Sequence, residues 1–299
     1  MEIIELFKKL IKDLKITFKS ETTVKDLIKE DDFFKITSNS AINYSRNLVI
    51  ACGGMSYKVT GSNGDGYRLV QQFGHSIKPI KASLVAMNTN LNRDEKLELM
   101  GLSLRNVQVS VVNKKNKFIF KEFGEMLFTH FGISGPIILS ASSYMDNDEE
   151  YKIFLDLKPA LNYEQINNKL LHIFAEEHLK SIGKVLENLL PKKLINIFLK
   201  SIDLDYYKKA CDITKIEREA IVNNLKHFDL KYASLRSIDE AIITAGGVNV
   251  KEIDPKTMES KLVKNLYIVG EVLDVDALTG GYNLQIAFST AHQAAMNIE

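Results

Sequence analysis

Three short apolar runs in this chain each stop at glycine: Asn47–Cys52 runs into Gly53-Gly54, Ile243–Ala245 into Gly246-Gly247, and Asn265–Val269 into Gly270. A short apolar strand ending in glycine delivers bare main chain to one edge of a sheet, where a ligand can approach the backbone. The glycines are concentrated at these places. Of the 16 in the sequence, six fall between Gly53 and Gly74, and five more are Gly246, Gly247, Gly270, Gly280 and Gly281. Such strands, with helical segments between them, point to an α/β fold of the nucleotide-binding kind.

Hydrophobic periodicity fills in the rest. Residues 2–14 place Ile3, Phe7, Leu10, Ile11 and Leu14 on one helical face, and strand-like runs at 15–18, 23–28 and 33–37 follow as a small antiparallel meander. Asp65–Phe73 reads as a helix stopped by Gly74. From residue 77 the period becomes two: Val107, Val109 and Val111 alternate with polar residues, and 117–121, 126–128, 137–140 and 151–155 read as further strands of an all-β module. Residues 163–225 are helical, with Ile166, Leu170, Leu171 and Phe174 on one face and Leu194, Ile197 and Phe198 on another. Strand character returns over 228–245, and Leu284–Ile298 is a closing helix. The order is nested: an α/β unit at 1–77 and 244–299 is interrupted by a β module at 78–160 and 226–243, itself interrupted by a helical insert at 161–225.

Composition narrows the function classes. With 39 Lys+Arg against 38 Asp+Glu, the chain has no global attraction for nucleic acid or acidic lipid. Two separated cysteines, Cys52 and Cys211, form no disulfide framework or zinc knuckle. The six histidines show no metal-ligand spacing, so no metal site is expected. The N-terminal segment is broken by charge every few residues, unlike a signal peptide, and no apolar run approaches a membrane span, so a cytoplasmic location is expected. No G-x-x-x-x-G-K-[ST] loop supports ATP hydrolysis.

Three segments carry candidate chemistry. Ala51, Cys52, Gly53 and Gly54, followed by Gly61, Gly64 and Gly66, can offer backbone N–H groups to an electron-rich ligand, although a plain glycine-rich turn is the alternative. Their G-x-x-G-x-G order is not the dinucleotide fingerprint. The stretch 270–285 brings three carboxylates, Glu271, Asp274 and Asp276, beside Thr279-Gly280-Gly281-Tyr282-Asn283. Carboxylates can accept bonds from sugar or polyol hydroxyls, and a glycine pair lets a ring approach a helix start. The segment 124–136 reads G-x-S-G-P and lacks the G-x-S-x-G elbow of a serine hydrolase. His130 within it is either a proton donor or a hydrogen-bonded structural residue.

Taken together, the stretches 47–75, 124–136 and 243–295 resemble the HI0933-like or BaiN-like (YhiN-type) NAD(P)/FAD-dependent oxidoreductases, with similar order and spacing over nearly the whole chain. The resemblance implies an α/β, two-dinucleotide-binding, Rossmann-like domain carrying FAD, with an inserted β-barrel-like module and a nested helical one. It places FAD at Ala51, Gly53 and Gly54, at Gly270, Glu271 and Asp274 near the ribityl chain, and at Thr279, Gly280, Gly281, Tyr282 and Asn283 beside the ring. Family members open with a strand, a G-x-G-x-x-G turn, a helix and a ribose-binding acid, and this sequence shows none of these. An N-terminally truncated domain that holds FAD poorly by itself is therefore expected, with an exposed sheet edge open to self-association.

The implied activity is hydride transfer from NAD(P)H through flavin to an unsaturated small molecule, with His130 or Tyr57 as proton donor. Two alternatives stay open. One is a non-catalytic fragment. The other is an RNA- or ligand-binding protein, including a role in uridine reduction in ribosomal RNA, with Lys192, Lys193, Lys208 and Lys209 of the helical insert as the place to look.

Overall fold

The structure, a computed structural model, describes residues 2–298. Two glycine-terminated strands from opposite ends of the chain lie side by side: Leu48–Ile50 pairs in parallel with Leu266–Ile268, Val49 opposite Tyr267. Parallel neighbours need a crossover, and here the crossover contains the whole inserted module. The helix Asp65–Gln71 packs under this pair through Gly66, where a Cβ would come within 3.0 Å of the Cys52 and Val272 side chains.

A three-stranded antiparallel meander, Val24–Glu30, Phe33–Ser38 and Ile42–Ser45, is fastened to the same helix. Gln72 accepts the Leu27 N–H at 3.1 Å and Arg68 donates to Lys25 O at 2.8 Å. Phe34, fully buried, meets Phe73 edge-on with ring centroids 5.8 Å apart. His75 is another anchor. It is buried, with Nδ1 3.0 Å from Glu252 Oε2 and Nε2 2.8 Å from Ser260 Oγ, so it ties the end of the helix to the turn before the last strand.

The inserted module is one seven-stranded sheet flanked by helices. Its strands run in the order 228–229, 151–156, 103–113, 118–128, 132–134, 87–89, 232–235. The two edge strands are consecutive in sequence, so the sheet curls strongly, and Tyr151 meets Tyr232 across the gap at 6.2 Å. Among the described residues no strand pairing closes it, so the barrel-like expectation is corrected to an open, curled sheet. Val107, Val109 and Val111 point inward as their alternation requires, onto Phe120, Met126 and Ile153. Helices Tyr163–Glu176, Lys192–Lys200 and Lys215–Lys226 share that core through Leu170, Phe198 and Leu225, all fully buried. A separate core from residues 27–73 and 248–294 serves the α/β part.

Several local expectations change. Residues 15–18 form no strand: Lys15, at φ 54°, leaves the helix Glu2–Asp13 in a left-handed turn. Residues 137–140 lie in a helix, Pro136–Ser142, because Pro136 after Gly135 starts a helix readily and an apolar run this short has no readable period. The module is not all-β, since Arg93–Leu99 is a helix with an Asn92/Glu95 capping box. The glycine pair of the second run sits inside a strand, Ile243–Val248, which continues past a bulge against Ile77–Ser83. The run at 47–52 is less buried than expected: Val49 is 41% exposed and Leu48–Ile50 has a strand on one side only among the described residues.

Candidate functional site

One side chain, Thr244, gathers the three glycine-terminated segments. Its Oγ1 accepts the N–H groups of Met55 and Ser56 at 2.7 and 3.0 Å, and its own N–H donates to Glu271 Oε1 at 2.7 Å. Gly54 is obligatory beneath this knot, because a Cβ there would sit 2.4 Å from Thr244 Oγ1 and 2.8 Å from Glu271 Oε1. Gly246 and Gly247 are closed off in the same way by Pro79 O and Val272 O. These three glycines therefore let protein segments approach each other. The glycines that face open space are elsewhere: a Cβ on Gly281 would touch nothing within 4 Å.

Beyond Glu271 opens a cavity of about 530 Å³. One wall is apolar, from Leu84, Ile242, Ile243, Val275, Leu278 and Leu284. The other is Glu271 and the run Thr279, Gly280, Gly281 and Asn283, where the helix Tyr282–Ala295 begins. No side chain caps that helix start, and its N-cap Gly281 has φ 88°. Its first N–H groups are thus available to an electron-rich ligand, with the positive end of the helix dipole behind them. Asn283 lines the cavity and contributes its backbone N–H to that helix start. Its side-chain amide is spent on Ala277, accepting from N–H at 2.8 Å and donating to C=O at 2.7 Å, which holds the loop open.

Tyr67 adds a group that sequence reasoning missed. Its hydroxyl is buried without a hydrogen-bond partner among the described residues, and burial together with the Glu271 charge pushes its pKa up to about 12. A buried O–H held protonated beside a carboxylate, with nothing to donate to, is what a polar ligand segment would satisfy.

The remaining candidates are dispersed. Ala51 is exposed and Gly53 takes φ 73° at the strand end. Gly270 donates its N–H to Thr290 Oγ1 at 3.0 Å, and Asp274 N–H bonds Val248 O at 2.9 Å. Tyr282 is 61% exposed, with its ring flanking Gly280. Tyr57 follows Ser56 with φ 53° and is half exposed. His130 sits at the exposed hairpin tip before Gly132, 5.0 Å edge-on to Phe131. Neither Tyr57 nor His130 lines the cavity. Of the lysines proposed for RNA, Lys192 pairs with Glu187 at 3.3 Å, Lys208 with Glu217 at 2.6 Å, and Lys193 bonds Met100 O. Among the described residues no group of His, Cys, Asp or Glu is arranged to hold a metal ion, and no helix is long and apolar enough to cross a membrane.

The model of the HI0933-like protein Rossmann domain matches residues 1–297. The chain belongs to the HI0933-like family. Within it, the protein is 34% identical over 286 residues to a ribosomal RNA dihydrouridine synthase of Haemophilus influenzae, covering 95% of this chain and 68% of the relative. The Escherichia coli protein of that name is 30% identical over 285 residues, covering the same shares. A 3-dehydro-bile acid delta(4,6)-reductase of Clostridium scindens is 26% identical over 296 residues, covering 98% of this chain and 71% of that one. The α/β part of this HI0933-like chain is accordingly Rossmann-like.

Proposed function

We propose that this protein is a flavin-dependent reductase of an electron-poor carbon–carbon double bond, and that its substrate is a uracil in RNA. The observation that carries the first part is the uncapped start of the helix Tyr282–Ala295, facing an apolar wall across a cavity of about 530 Å³. When bound there, FAD supplies hydride transfer between reduced nicotinamide and the double bond.

The residues present fit that group. The N–H groups of the helix start would stabilise negative charge on the pyrimidine edge of a reduced ring. Leu84, Ile242 and Leu284 would cover its faces and keep water away. Glu271, held by the Thr244 N–H through Oε1, keeps Oε2 for ribityl hydroxyls, and the Tyr67 O–H provides a donor beside it. Tyr57 and His130 are the candidates for delivering the substrate proton. The substrate rests on kinship: two relatives are named for dihydrouridine synthesis in ribosomal RNA.

Titration with FAD, followed by flavin fluorescence, tests the cavity. Saturable binding is expected in the wild type, and Gly281→Val, which fills the helix start, is expected to weaken it more than tenfold; equal binding by both overturns the site. NAD(P)H-dependent loss of uridine in ribosomal RNA, run beside reduction of a steroid enone, tests the substrate. Turnover of the enone alone would replace uracil by a steroid-like molecule. His130→Gln and Tyr57→Phe should slow the substrate half-reaction far more than flavin reduction if either residue is the donor.

A further inference from the structure

A second concavity lies on the outer face of the curled sheet and shares no residue with the first. It encloses about 310 Å³ between the strands Ser103–Asn113, Phe118–Phe128 and Tyr151–Asp156 and the start of the helix Tyr163–Glu176. Strand register puts Ser110 between Lys121 and Phe154, and Gln108 between Phe123 and Asp156. The outward face of a sheet normally carries polar residues. Here Phe118 and Phe123 are 56% and 60% exposed on it, and Tyr163 at its rim is 44% exposed. His227 is fixed in the wall by Tyr163, whose hydroxyl lies 3.0 Å from Nδ1, and Phe154 meets the same imidazole at 6.2 Å.

The charge around these rings is positive and largely unspent. Asp156, the one carboxylate lining the concavity, is neutralised by Lys226 at 2.5 Å, and Lys226 also donates to Lys158 O and Leu161 O. By contrast Lys121 lies 5.9 Å from the Phe118 ring centroid, and Lys121, Lys152, Lys158 and Lys169 have no ion-pair partner among the described residues. Burial, and then the neighbouring Lys169 charge, depress the Lys158 ammonium. The Gln108 amide and Ser110 hydroxyl on the floor are likewise uncommitted among the described residues.

We propose that this face binds single-stranded RNA, one base entering the concavity and its flanking phosphates lying on Lys121 and Lys152. Exposed rings on a sheet face stack on unpaired bases, unpaired lysines track the phosphates, and an amide and a hydroxyl between them can read a base edge. Duplex RNA hides its bases and does not fit. The proposal deepens, and rests on, the reading of RNA as substrate; it relocates RNA from the lysines of the helical insert, most of which are held internally, to a face whose cations are free. This surface anchors the substrate strand, and the flavin cavity acts on it.

The test is fluorescence anisotropy of the full chain with a labelled uridine-rich single strand and with a hairpin duplex of the same length, across a salt series. Wild type should bind the single strand more tightly than the duplex, with affinity falling steeply as salt rises. Lys121→Gln with Lys152→Gln should lower the slope of log K against log salt by about 1.4, which corresponds to two phosphates of a single strand. Phe118→Ala with Phe123→Ala should weaken binding roughly tenfold or more at unchanged slope. All four side chains lie on a solvated face, so unchanged thermal melting serves as the folding control. Wild-type affinity in both double variants, or no preference for single strands, overturns the proposal. If wild type reduces uridine while both variants bind RNA normally, this face is wrong and the substrate reading stands. If RNA binds through this face and no uridine is reduced, the substrate reading falls alone.

Discussion

In the inserted module Phe198 is wholly buried and stacks on Phe228 with centroids 6.1 Å apart; in the α/β part Phe7, Phe18 and Phe288 are 47%, 71% and 56% exposed. The insert caps and buries its helices, with three capping boxes and helix faces that meet a single core, while its exposed rings Phe118 and Phe123 lie on the outer face of the sheet. The α/β part leaves three apolar surfaces open: the face of Glu2–Asp13 with Ile3, Phe7 and Leu10, the free edge beside Val49, and Leu284 with Phe288 on the last helix. Contiguous exposed apolar surface marks a place of interaction. The insert buries its helix faces in its own core, whereas the α/β part leaves a helix face, a strand edge and a cavity wall uncovered among the described residues.

That contrast can be broken most directly by two phenylalanine truncations. Phe198→Ala should cost about 3–5 kcal/mol, whereas Phe7→Ala should stay within about 0.5 kcal/mol; thermal or urea unfolding reads both. A large loss for Phe7→Ala would show that its helix is covered in solution, and sedimentation would then reveal a second copy. Next in size is Thr244→Val, which strands the Met55 and Ser56 N–H groups and should cost about 1–3 kcal/mol while loosening the cavity beyond Glu271. Smallest, and opposite in sign, is Tyr67→Phe. Removing a buried, unpartnered hydroxyl should stabilise the ligand-free protein by about 1 kcal/mol and weaken FAD binding.

The same hydroxyl sets an alkaline limit. Its pKa rises from 10.0 to about 12 on folding, so the folded state holds the proton more tightly. Its contribution is intact below about pH 10 and is lost as pH climbs toward 12. Tyr67→Phe should flatten that part of the stability curve, and a curve unchanged by the substitution would remove Tyr67 from the account.

Local rules were readable where one period ran long enough. The valine alternation at 107–111 and the helices of 163–225 stand as expected because each repeats its spacing over many residues. Four apolar residues at 137–140 carry no period, and the chain resolved them as a helix through Pro136. Glycine clustering marked where segments meet but not the work of each glycine: Gly54, Gly246 and Gly247 admit other protein segments, while Gly281 lines the cavity. Thr244 and Tyr67 had no local signature, since each matters through partners far away in sequence. Lysine spacing in the helical insert was equally silent about Glu187 and Glu217, which claim two of those charges.

The Thr244 knot also dictates a sequence of assembly. Met55 and Thr244 are 189 residues apart, a contact of very high sequence separation, and such contacts form late because the intervening loop must close before they repay it. Folding of the inserted module brings Ile77–Ser83 and Ile243–Val248 into register and does most of that closing. On a ribosome the insert can therefore collapse while Leu266–Ile268 and Tyr282–Ala295 are still unmade, and Glu271, the cavity wall and the uncapped helix start arrive together after it. The cavity is thus a late product of synthesis, unavailable to any ligand until Glu271 and the helix Tyr282–Ala295 have been made.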